Sequence, residues 1–73
     1  MTRQTLEKWI LAKASVFFTM SPVNQEYYME YVIQQLEKAM AFRDFTRAHN
    51  WRMLLIHLNR RIDKRELVIN TYA

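Results

Sequence analysis

No glycine occurs anywhere in this 73-residue chain. Glycine is the residue that enters left-handed backbone conformations without steric cost. Phosphate-cradling loops, nucleotide-binding strand–helix turns and most tight hairpins require it at fixed positions, so none of them can be built here in its usual form. Cysteine is absent too, which removes any disulfide framework or thiolate metal site. A chain this short buries a small share of its surface, so a lone core is marginal. The remaining routes to stability are tight helix packing and self-association.

Apolar spacing supports helices throughout. Leu6, Ile10 and Phe17 form one line over residues 4–20, with Trp9, Val16 and Met20 beside it and Leu11, Ala14 and Phe18 at its edge. An arc that wide predicts a helix packed between neighbours. Ser21-Pro22 then marks a start: serine can cap a helix and proline suits its first turn. From there Gln25, Met29, Val32, Leu36, Ala39 and Arg43 recur at four- and three-residue steps, the spacing of antiparallel helix packing. A third helix is predicted from Ala48, Trp51, Leu55, Leu58 and Ile62, with Leu54 beside them. These expectations describe an all-α, single-domain, small three-helix bundle, with helices at about 4–20, 22–43 and 46–66 and a short extended or frayed C-terminal tail. Leu67 or Ile69 of that tail is expected to tuck against the bundle. A turn is placed within residues 43–50, where Asp44, Thr46 and Asn50 can each cap a helix. The alternative is one unbroken rod from Pro22 to Arg65, nearly 70 Å long at ~1.5 Å per residue. Such a rod could close a core only as a dimer.

Charge is unevenly distributed. Residues 1–41 carry four cations and four carboxylates, whereas residues 42–73 carry seven and three, so the whole net charge of +4 lies in the C-terminal part. Such a balance suits nucleic acid, an anionic membrane or an acidic protein face. No apolar run approaches the ~20 residues that span a bilayer. Glu7 and Lys13 interrupt the N-terminal apolar stretch, and no small-residue cleavage site follows it. A cytoplasmic protein without a membrane span is expected.

No catalytic constellation emerges. His49 and His57 stand roughly 12 Å apart along a helix, too far to share a metal ion, and no Glu-x-x-His pattern of helical metal bundles is present. Both are expected to be solvated or hydrogen-bonded. Glu26, Glu30, Glu37 and Asp44 form an acidic stripe that faces solvent or the basic stripe of the third helix, in the same or a neighbouring molecule. Ser15, Ser21 and the threonines have no base beside them in the sequence. No enzyme activity, cofactor, metal or small-molecule substrate is expected.

The function these features suggest is a non-catalytic regulatory or adaptor protein acting through helix-mediated contacts. Its partner would be a larger protein or further copies of itself in a homo-oligomer. Apolar anchors with cations at their rim are the usual make-up of such contacts. Candidate contact residues are Trp9, Leu11 and Phe18 on the first helix, Tyr27 and Tyr31 on the second, and Met53, Ile56 and Arg60 on the third. Met53 and Ile56 stand out because they lie off the Trp51–Ile62 seam. The alternative is a nucleic-acid-binding regulator that uses Arg52, His57, Arg60, Arg61 and Lys64, residue types that contact phosphates and base edges.

Overall fold

A computed structural model of the chain describes the backbone of residues 2–72 and the side chains of residues 2–62. It is all α, with no strand among the described residues: α1 (Arg3–Phe17), α2 (Pro22–Ala41) and α3 (Phe45–Tyr72). The side chains of the expected tail, Leu67 and Ile69 included, lie outside the described residues.

Both connections are short and held by backbone hydrogen bonds together with side-chain caps. Thr2 caps α1, its hydroxyl accepting from the Thr5 N–H at 3.2 Å. At the first joint the Ser21 hydroxyl accepts from the Asn24 N–H at 3.3 Å, with Pro22 opening the helix as the sequence predicts. Gln25, the polar head of the expected seam, donates from Nε2 to the carbonyl of Phe17 at 3.1 Å. That carbonyl lies at the end of α1, where helical partners run out, so Gln25 ties α2 to α1.

The second joint excludes the unbroken rod. The Asp44 N–H donates to the Ala39 carbonyl (2.8 Å) and the Arg43 N–H to the Met40 carbonyl (3.0 Å). This pair of bonds is the Schellman closure of a helix C-terminus, and it needs a left-handed residue between the two helices. With no glycine to supply one, Arg43 adopts φ 56°. A non-glycine residue there carries a steric cost of about 1–2 kcal/mol. Arg43 is therefore an exposed turn residue and not, as its spacing suggested, the last member of the seam. Asp44 then caps α3, accepting the Arg47 N–H on Oδ1 at 3.1 Å.

Helix α3 is the member on which the other two pack, α2 more extensively than α1. Its 28 residues make about 42 Å at ~1.5 Å per residue, which accounts for the 44 Å long axis of the molecule. The fully buried centre holds Ala14, Phe17, Val32, Leu54 and Leu58, with Ile10, Met29, Trp51, Leu55 and Ile62 packed partly buried around it. Burying one such large side chain contributes roughly 1.5–3 kcal/mol. The expected seam is thus present but rotated: Leu54, placed beside it, is at 0% exposure, while Leu55 is only half-buried. The reason is that two helices cover α3. The deepest position falls in the crease between them, not along the line facing α2. Leu6 and Leu36, expected in the interior, are half-buried at its margin.

Candidate interaction surface

An α-helix turns about 100° per residue, so the side of α3 opposite Leu54 and Leu58 carries His49, Arg52, Met53, Ile56 and Arg60. Of these, Met53 and Ile56 are apolar yet 37% and 36% exposed. Two clefts run beside them where α1 meets α3. One, of about 480 Å³, is lined by Leu6, Glu7, Ile10, Asn50 and Met53 among others. The second, about 280 Å³, is lined by Glu7, Ile10, Leu11 and His57. Glu7 and Ile10 belong to both, so Leu11 and Met53 border one continuous strip. Ile56, one helical turn on from Met53, stands at its α3 edge. Leu11 is 58% exposed. Leu11, Met53 and Ile56 are the candidates that the fold brings together, with Arg60 exposed beyond them.

The other aromatic candidates are placed differently. Trp9 and Phe18 are packed partly buried against the core. Both are long enough to reach a neighbour from the edge of their helix. The Trp9 ring meets Trp51 edge-on at 5.1 Å between centroids, and Trp51 meets Tyr31 at 5.9 Å. Tyr31 touches Tyr28 at 6.0 Å, Tyr28 touches Phe17 at 5.8 Å, and Phe17 touches Phe18 at 4.9 Å. These rings link all three helices, and aromatic pairs of this kind add about 0.5–1.5 kcal/mol each beyond their buried area. Burial, with Tyr31 beside it, pushes the Tyr28 phenol above its usual range. Tyr31 is therefore half engaged, while Tyr27 projects from α2 into solvent.

The basic residues are dispersed as well. Arg61 is folded over the Phe18 ring, 4.1 Å from its centroid. Arg52 and Arg60 are exposed on the outer face, and the Lys64 side chain lies outside the described residues. His57 is not on the outward basic face where its spacing placed it. Its ring turns towards α1, and Nε2 is buried with no hydrogen-bond partner. Burial first, then the Arg61 and Arg60 charges, lower its pKa from the usual value of 6.5. The expectation that both histidines would be solvated or hydrogen-bonded fails for this one, because 57 falls just inside the arc that α1 covers.

Sequence reasoning passed over Phe42 and Phe45. They flank the left-handed turn and are both well exposed, at 76% and 63%. Their position on either side of an Arg-Asp pair was the available signal, since a turn lifts its flanking side chains away from the bundle.

Among the described residues no group of three His, Cys, Asp or Glu could hold a metal ion, and no helix is long and apolar enough to cross a membrane. Comparison with family models, with curated proteins and with solved structures finds no match to this chain.

Proposed function

We propose that this chain is a small cytoplasmic, non-catalytic regulatory or adaptor protein that works through helix-mediated contacts. The observation that carries this reading is the apolar strip of Leu11, Met53 and Ile56, exposed and bordered by Arg52 and Arg60. Apolar anchors inside a cationic rim suit a partner helix that is apolar at its centre and acidic at its edges. Capture from native lysate, with and without nuclease, tests it. Captured protein should survive nuclease and be lost when Met53 and Ile56 are both replaced by Ser. Retention of the same protein by that double variant would overturn the reading.

One observation favours the second reading. Residues 45–62 contain four arginines and no carboxylate. If these cations bind nucleic acid, affinity must fall steeply with salt, because each neutralised phosphate releases a counterion. Replacing Arg52 and Arg60 with Ala should then flatten the salt slope. Absence of binding to duplex or single strands at low salt would discard this reading.

A further inference from the structure

Helices α2 and α3 share a broad face on the side away from α1. Helix α1 meets α3 beside Asn50, Met53, His57 and Trp51, and meets α2 at Gln25 and Tyr28. At about 100° per residue, Glu30, Ile33, Glu37 and Met40 fall on the other flank of α2. Phe45, Arg52, Ile56 and Arg60 do the same on α3, and all eight are exposed. Four of them are large and apolar: Ile33 at 40%, Met40 at 43%, Phe45 at 63% and Ile56 at 36%. Apolar side chains gathered on one exposed face mark a contact surface.

Charge on this face is sorted by helix, with the carboxylates on α2 and the guanidiniums on α3. None of these four belongs to the two ion pairs among the described residues, Arg3–Glu7 and Arg47–Asp44. The two columns adjoin within one chain, where exposed pairs contribute little. Charge alone therefore does not call for a second copy. The apolar residues between the charges do, and the charges decide how the copy sits.

A two-fold contact needs a patch complementary to itself. If the two-fold axis crosses the helices at right angles in the plane of contact, α2 lies on α2 and α3 on α3, glutamate against glutamate and arginine against arginine. If the axis runs parallel to the helices, α2 lies on α3 of the other copy, and both columns meet their opposites. A parallel axis also keeps every residue at its own height. Within the chain Ile62 is level with Glu26, Met29 and Glu30, and Arg47 with Lys38 and Ala39, since each set lines one cleft. Between those levels Ile56 stands near Ile33, Arg52 near Glu37 and Arg60 near Glu30, each within about two residue rises of ~1.5 Å. We infer that this chain forms a two-fold dimer through the α2–α3 face, α2 of each copy lying on α3 of the other. Ile33 packs on Ile56, with the pairs Glu37–Arg52 and Glu30–Arg60 beside them. This rests on the proposed helix-mediated role and names a second copy as the occupant of this face. Leu11 and Met53, towards α1, lie outside the contact.

Sedimentation equilibrium of the full chain over micromolar concentrations tests the dimer, and single cysteines test its geometry. Wild type should reach twice the monomer mass and stop there. Glu30→Arg with Glu37→Arg, and Arg52→Glu with Arg60→Glu, should each stay monomeric while keeping wild-type circular dichroism. Mixed one to one they should dimerise, because each reversed column then meets its complement. Under oxidation, Ile33→Cys mixed with Ile56→Cys should give a mixed disulfide, while neither variant alone links to itself. Efficient self-linkage of Ile33→Cys overturns the parallel axis, and growth past the dimer overturns the closed pair. Failure of the charge-reversed mixture to associate overturns the pairing, and a wild-type monomer throughout overturns the dimer altogether. In that last case a nuclease-resistant partner whose capture requires Met53 still upholds the broader reading, so the two fail separately.

Discussion

Leu54 and Met53 are neighbours in the chain and similar in size, yet one is sealed from water and the other lies more than a third exposed. Leu58 and Ile56, two residues apart, show the same contrast in exposure. The inward side of α3 is covered by two helices at once, whereas Arg52, Met53, Ile56 and Arg60 on the outward side stay exposed among the described residues. Apolar character is thus spread over both sides of α3. What separates them is the company each keeps: Trp51 and Leu55 inward, Arg52 and Arg60 outward. A hydrophobic residue on this helix stabilises the fold on one side and is available for association on the other.

The strongest way to break that contrast is truncation in the crease. Leu58→Ala or Leu54→Ala should cost about 2–5 kcal/mol. At ~0.05–0.15 kcal/mol per residue, total stability is roughly 4–11 kcal/mol, so either variant should melt far below wild type by circular dichroism or be unfolded outright. Leu55→Ala should cost distinctly less than Leu54→Ala. Equal costs would return the seam to the line that periodicity suggests.

His57, at the border of the two sides, should make stability depend on pH. Its folded pKa is lowered, so between that value and the ordinary 6.5 the unfolded chain binds the extra proton. The contribution is whole above about pH 6.5 and is lost as pH falls towards the folded value. Arg60 and Arg61 from α3 and Glu7 from α1 are the charged groups that face it. Thermal melts between pH 5 and 7.5 should show a falling midpoint in wild type and a flatter profile in His57→Leu. An unchanged profile would mean the imidazole reaches water.

Arg61, at the same border, should show about 0.5–1 kcal/mol from its contact with Phe18, lost in Arg61→Ala. Smallest of all is Ile56→Ala, expected within about 0.5 kcal/mol of wild type while association or partner capture weakens. A large drop in melting temperature for that variant would erase the distinction between the two sides.

The sequence made parts of this arrangement legible and left others hidden, for physical reasons. Helix starts are local events: Ser21-Pro22 and Asp44 cap their own following residues, and both act as their chemistry suggests. Met53 and Ile56 were readable as surface because they fall off the Trp51–Ile62 line, whereas Leu11 shared an apolar line with Ala14, which is buried while Leu11 is exposed. The rotation that buries Leu54 was not readable, since periodicity describes one seam and α3 is covered by two neighbours. The left-handed Arg43 was hidden because glycine, the usual marker, is missing. Arg61 over Phe18, the aromatic links from Trp9 and the buried Nε2 of His57 all depend on where a different helix ends up. No spacing within one helix encodes that.

The contact between Trp9 and Trp51 has an optical consequence. These are the chain's two tryptophans, and their rings lie edge to face with Tyr31 against the second. Transition dipoles this close couple, so the pair should contribute an exciton couplet of opposite-signed bands to the ultraviolet dichroism. Excitation absorbed by the tyrosines should drain to the same spot. The fluorescence of the molecule is thus emitted from the single place where α1 rests on α3. The chain carries an intrinsic probe of that docking, one that responds when α1 lifts away even while each helix keeps its own backbone bonds.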